Sequence, residues 1–325
     1  MLILQPLPCP DAQALFERLA RVAHRHPLVA ERAWQRLSAA ARARGEVALA
    51  VDALVQCFAL LEPRGRGAEL TTALRAALMD AAALPLQAAR VHEALGRIAY
   101  QQAEYQQAGL HWREALRGAE SCGNAQLRVA AEIGLAQIHY AHGDWAAGLH
   151  AHESAARHAD AGDSYLQAKL ALNLGVGHFE LADLPAAERQ FSHGLAAARR
   201  GAHREFEAEA HWHLAQTALA RKDLSFAVAD CRLVLGLAAR HGYPWLEAAA
   251  SRTWTEIALA RGDTQSAIRS TRHALALAQR IQARAQASQA HRQLAQLLEQ
   301  EGDLAGALAH LWQHVALQGE LARLG

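Results

Sequence analysis

Nineteen histidines are the most conspicuous source of chemistry in this 325-residue chain. A metal centre on a helix needs imidazoles three or four residues apart on one face, with further ligands brought in from elsewhere. Two pairs have that spacing, His310 with His314 and His139 with His142. Each supplies half a site, and the sequence forces no third ligand alongside, so no metal centre is expected. His92-Glu93 and His152-Glu153 lack the second histidine of a zinc-protease helix. Cys9, Cys57, Cys122 and Cys231 are scattered without paired spacing, which suggests neither a disulfide framework nor a zinc knuckle and suits a reducing compartment. Nucleophile elbows, phosphate-cradling glycine loops and dinucleotide fingerprints are absent. The expectation is a non-enzymatic chain with no cofactor.

Composition narrows the class further. The 33 basic and 32 acidic residues nearly cancel, so no global field draws the chain to nucleic acid or membrane. Between Ser251 and Arg292 a local excess of seven arginines faces only Glu256 and Asp263. Those arginines fall at several helical phases, which fits a solvated outer face better than a nucleic-acid surface. Alanine and arginine are strong helix formers, and only eight prolines interrupt the chain, so the expected class is all-α. The opening MLILQPLPCPDAQ has no basic region ahead of its short apolar run, and no stretch approaches the roughly 20 apolar residues of a membrane helix. A cytoplasmic protein with no membrane contact is expected.

The stretch Arg128–Gly162 shows what the helices do. Its first half carries Ile133, Leu135, Ile138 and Tyr140 and stops at Gly143; Asp144 is placed to cap the second half. Ala136 and Gly148 let the two axes approach. One such hairpin cannot bury its apolar faces alone, and the chain supplies copies. The turn acid recurs as Glu104, Asp144, Asp183, Asp223, Asp263 and Asp303, spaced by 40 residues except once by 39. Nine residues before each stand Leu95, Leu135, Leu174, Leu214, Trp254 and Leu294. Four after each stand Ala108, Gly148, Ala187, Ala227, Ala267 and Ala307. Ahead of this array, residues 1–86 read as an N-terminal helical region: a proline-broken lead, a helix from about Asp11 to His24, and one looser hairpin over 31–64. The break Pro63-Arg64-Gly65-Arg66-Gly67 is expected to be the flexible point, with a further helix over about 69–83 ended by Pro85.

The LG pair, the Gly-Asp turn and the small residue beyond it resemble the tetratricopeptide repeat (TPR) family, in about six units over 87–325. The unit is about six residues longer than the family's 34, and that excess is expected in the second helix and the loop after it. Long units of this kind look like sensor arms of bacterial signalling proteins such as diguanylate cyclases. The resemblance implies an α-solenoid, a right-handed superhelix whose inner groove is lined by first helices. Carried over by register, the family's groove positions are Arg90, Glu93, Arg97 and Tyr100; Gln137 and Tyr140; Lys169, Val176 and Phe179; Glu209, Trp212 and Gln216; Arg252 and Glu256; and Arg292, Gln296 and Glu299. Their mixture of aromatics, Gln and Arg suits a protein or peptide partner, though Tyr140, Phe179 and Trp212 equally suit packing between repeats. The positions of a carboxylate clamp hold Glu93/Arg97, Ile133/Gln137 and Leu172/Val176, which argues against one. Asn173 falls one residue off the groove line. The expected function is a binding scaffold in bacterial signalling or regulation. The alternatives are a sensor arm whose output domain lies beyond Gly325, and a chaperone or assembly factor for a secretion system. The last helix carries more apolar residues than one stripe can bury, which predicts that this end is covered, by a second copy of the chain in a homodimer through Trp312 and Leu321 or by a following domain.

Overall fold

The computed structural model describes residues 12–22 and 27–324. The proline-broken lead, Cys9 and the ends of the expected first helix, Asp11 and His24, lie outside them. The first three helices are α1 (Ala12–Val22), α2 (Pro27–Ala43) and α3 (Val47–Leu61), followed by two 3-10 turns, Glu62–Arg64 and Gly67–Leu70, and by α4 (Thr71–Asp80). Six hairpins then stack in chain order. They are α5 (Pro85–Gln101) with α6 (Tyr105–Ser121), α7 (Ala125–Ala141) with α8 (Trp145–Ala156), and α9 (Ser164–Glu180) with α10 (Leu184–Arg200). The rest are α11 (Arg204–Ala220) with α12 (Leu224–His241), α13 (Pro244–Ala260) with α14 (Thr264–Arg280), and α15 (Arg284–Gln300) with α16 (Leu304–Leu324). The described residues form an all-α repeat solenoid.

Turn chemistry sets these boundaries. Asp144, Asp183, Asp223 and Asp263 each accept a hydrogen bond from the backbone N–H three residues on, at 3.2, 3.1, 3.3 and 2.9 Å. Asp303 does the same to Gly306 at 2.9 Å. Glu104 precedes α6 without such a bond, because its extra methylene overshoots the first turn. Asn124 and Asp163 cap α7 and α9 in the same way, so capping side chains stand at both kinds of turn. The expected excess in the second helix and loop is instead shared. Every first helix of the six units runs 17 residues. The second helices run 17 in α6, α10 and α14, 12 in α8, 18 in α12 and 21 in α16. The connections between hairpins are as short as the turns within them except at residues 157–163. Pro85 does not end α4; it opens α5, where its missing N–H costs nothing and its fixed φ suits the first turn.

Packing depends on pairing large rings with small residues. Trp112 is 1% exposed, and Gly96 and Gly134 lie against its indole from neighbouring helices. Phe191 covers Gly175, and Tyr140 covers Gly148. Ala187, Ala227 and Ala267 are fully buried at the matching position of later units. First helices α5, α7, α9, α11, α13 and α15 also touch one another in succession and make an inner wall. The segment expected to be flexible closes that wall. Glu62–Arg64 packs against α13, Arg64 lies over the Tyr243 ring at 5.9 Å, and Gly65 abuts Pro244 and Ile281. Among the described residues no helix is long and apolar enough to cross a membrane.

Candidate ligand-binding channel

With the ring of first helices closed by residues 62–65, the inner groove becomes a cavity of about 390 Å³. Its wall is drawn from every first helix of the regular units: Arg97 and Tyr100 on α5, Gln137 on α7, Lys169 and Asn173 on α9, Glu205 and Glu209 on α11, Trp245 on α13, Gln286 on α15. Glu62, Pro63 and Gly65 complete it from the closing segment. The lining drifts along the helices, from the C-terminal end of α5 to the N-terminal ends of α11, α13 and α15. The cavity axis therefore crosses the helices obliquely rather than following one register.

One side of the wall is internally satisfied. Arg97 donates to Glu62 at 2.5 Å, lies 3.9 Å from Glu93 and sits over the Phe58 ring at 5.4 Å. Burial works against its charge, but Glu62, Tyr165 and Glu93 together outweigh it and hold its pKa above the ordinary arginine value. Gln137 donates to Asn173 Oδ1 at 3.1 Å, while the Asn173 amide donates to the Lys169 carbonyl at 2.8 Å. Asn173, one residue off the expected groove line, thus both lines the cavity and bridges two helices.

The other side is unsatisfied. Lys169 is 9% exposed, and among the described residues no hydrogen bond or ion pair within 4.0 Å reaches its ammonium. Burial, reinforced by Arg97, lowers its pKa, against the pull of Glu93, Glu62 and Glu205. Glu205 is pushed up to about 7 by burial and by Glu62, and Glu209 to about 8 by burial and by Glu205. The nearest basic group to Glu209 is His213 at 3.9 Å, and His213, stacked on Phe191, is held neutral by burial with a pKa lowered to about 3. The Gln286 carbonyl oxygen is buried without a partner on the same wall.

Of the groove positions carried over from the sequence, Arg97, Tyr100, Gln137, Lys169 and Glu209 meet in this cavity. The rest lie elsewhere. Arg90 clamps Asp52 of α3 at 2.5 Å, and Glu93 supports Arg97. Tyr140 is buried against His152 and donates to the Asn173 carbonyl at 3.0 Å. Val176 and Phe179 pack into the α9–α11 core. Trp212 donates its N–H to Thr253 at 3.0 Å and packs edge-on to Trp245. Gln216 hydrogen-bonds His213, and Arg252 bonds Gln289. Glu256, Arg292, Gln296 and Glu299 are exposed. Sequence reasoning did not reach Glu205, Trp245 and Gln286. Glu205 and Trp245 share one register, nine residues before Leu214 and Trp254, one turn upstream of the positions scanned.

The histidine pairs fasten helices. His310 Nδ1 meets His291 Nδ1 at 2.8 Å and His314 Nδ1 meets Ser288 Oγ at 2.8 Å, so both tie α16 to α15. His92 and His111 make the same contact at 2.9 Å between α5 and α6. His142 bonds the Ile138 carbonyl at its own turn. Among the described residues no group of three or more histidine, cysteine or acidic side chains is arranged to hold a metal.

An all-helical stack of capped hairpins around an inner channel defines a TPR-like solenoid, and comparison with solved structures agrees. The chain is similar to the Rap conjugation gene regulator of plasmid pLS20, solved in complex with the Phr* peptide, with TM-score 0.62 and 14% identity over 86% of this chain and 73% of that one. A Rap protein complexed with Competence and Sporulation Factor gives TM-score 0.58 and 17% identity over 98% and 83%. The tetratricopeptide repeat sensor protein PH0952 from Pyrococcus horikoshii, a STAND signal-transduction ATPase, gives 0.57 and 13% over 96% of this chain and 48% of that one. No protein-family model and no curated protein matches the sequence.

Proposed function

We propose that this chain is a non-enzymatic scaffold of bacterial signalling or regulation, and that its ligand is a short peptide held in the closed inner channel. The observation that carries this reading is a buried lysine and two half-buried glutamates on one wall of the 390 Å³ cavity, none of them in an ion pair with another. Burial already disfavours the charged form of each of these groups, so a ligand that brings the complementary charge is held by groups the fold leaves without partners of their own. The volume lies within the usual range for small-ligand sites, and stacking surface from Tyr100 and Trp245 stands among the polar groups. The pLS20 Rap regulator, of similar fold, is solved with a peptide, which supports the ligand class. A role as the sensor arm of a longer protein is supported separately by the PH0952 sensor, where the match covers about half of the other chain.

Ala285 is exposed on the first turn of α15 and lines the channel. Ala285→Trp should fill the channel without disturbing the core. The tagged chain, passed through native lysate and eluted, should yield bound peptides by mass spectrometry, and the variant, with unchanged helicity and melting, should yield none. Equal peptide recovery from both proteins would remove the channel as the binding site.

A further inference from the structure

Three charges in the channel fail to pair even with one another. Lys169 and Glu209 hold the same register position in adjacent units, five residues before Leu174 and Leu214, on neighbouring inner helices α9 and α11. Glu205 stands one turn before Glu209 on the same helix face. All three line the cavity, yet no ion pair within 4.0 Å joins the lysine to either glutamate. The remaining channel charges are already committed, Arg97 to Glu62 and Glu93. What stays unanswered is a half-buried carboxylate pair on α11 and a single lysine, nine-tenths buried as a residue, on α9. Gln286 adds an unpartnered acceptor oxygen on the wall contributed by α15.

Resting on the peptide-binding reading above, we infer that the channel selects a peptide carrying a basic side chain, which seats between Glu205 and Glu209 while a carbonyl or carboxylate of the same peptide accepts from Lys169. A ligand of that polarity neutralises each group with its complement and leaves no new buried charge; an acidic or wholly apolar peptide leaves the carboxylate pair without a counter-charge. Burial and mutual repulsion keep both glutamates short of full ionisation near neutral pH, so the basic side chain also displaces protons as it enters. Discrimination rests on the α11 pair; Lys169 contributes affinity without reading the side chain.

The test uses the full chain, immobilised, and an equimolar synthetic library of randomised pentapeptides at pH 8. Retained peptides should be enriched about tenfold in Lys or Arg at one position, the discrimination that one desolvated charge pair supplies. Glu205→Gln with Glu209→Gln keeps side-chain volume and removes only the charges; it should retain peptides but lose the enrichment. Lys169→Met should weaken retention while keeping the Lys/Arg preference. Retention without basic enrichment, or enrichment surviving in the double glutamine variant, overturns the inference and leaves the channel reading standing. No retention of any peptide by the wild-type chain overturns both.

Discussion

Gly134 of α7 lies flat against the indole of Trp112 on α6, so close that a Cβ there would stand 2.3 Å from the ring atoms Cδ2 and Cε2. The two helices belong to successive hairpins, and the missing side chain sets their separation. Gly134→Ala should push the ring or part the helices, at a cost of about 1–3 kcal/mol. Ala227→Leu, at a fully buried position, should cost the same order. Because stacked repeats stabilise each other through their interfaces, the loss should broaden or lower the melting of neighbouring units as well. Thermal denaturation followed by circular dichroism checks both, and unchanged melting of Ala227→Leu would mean the small-residue register is wrong.

A second expectation concerns pH. Glu205 and Glu209 hold protons up to about 7 and about 8 in the folded chain, chiefly through burial, with Glu62 adding repulsion and Lys169 opposing it; Arg97 and Arg64 also oppose the shift at Glu205. Unfolded, both titrate near the ordinary glutamate value of about 4.3. Below that value both states are protonated and the pair costs nothing. Between it and about 8 the unfolded chain releases protons that the folded chain still holds, so stability falls as pH rises, and the loss is complete above about pH 8. The double glutamine variant should therefore match the wild type at about pH 3.5 and melt higher at about pH 8.5. Parallel melting-against-pH curves for the two proteins would show that these carboxylates are not desolvated.

The third concerns α16, whose outer stripe carries Leu304, Leu308, Leu311, Trp312 and Val315, with Trp312 66% exposed. Leu321 is half-buried, and the side chain of Leu324 lies outside the described residues. Second helices of the earlier units pack against the next first helix; here that face is bare. Self-association through this stripe is the proposal. Sedimentation at rising concentration should show a monomer–dimer equilibrium, abolished by Leu308→Glu with Trp312→Glu. A wild-type chain monomeric across the range, with the variant indistinguishable from it, would rule the contact out.

How much of this could be read from the residues follows from the range over which each cause acts. Caps and close contacts are local, so Asp144, Asp183, Asp223 and Asp263 announce their helices, and Ala187 and Ala227 their interfaces. Arg97, Gln137 and Lys169 reach the channel because they lie on the inner face of their units. Glu205 and Trp245 do so only because the channel crosses the helices at a slant, a consequence of how many small rotations accumulate between α5 and α13. Trp212 shares its helix with Glu209, three residues on, yet faces the next repeat and Thr253. The glycines and arginines of the 63–67 segment have the composition of a hinge. Nothing local to them says that Tyr243, Pro244 and Ile281 come round to meet them.

That meeting changes the kind of object the chain is. A stack of hairpins with free ends is a ladder: a defect at one rung fades over the next few, and the ends fray first. Once Gly65 rests on Ile281 and Arg64 on Tyr243, the ladder is bent into a hoop, and the shortest route between α3 and α13 no longer runs through the rungs between them. A fluctuation that lifts residues 62–65 slackens the fifth regular hairpin directly, and one that splays any rung opens the clasp. Strain spread around a hoop has no end at which to dissipate, so the channel it encloses should open as a whole or remain shut.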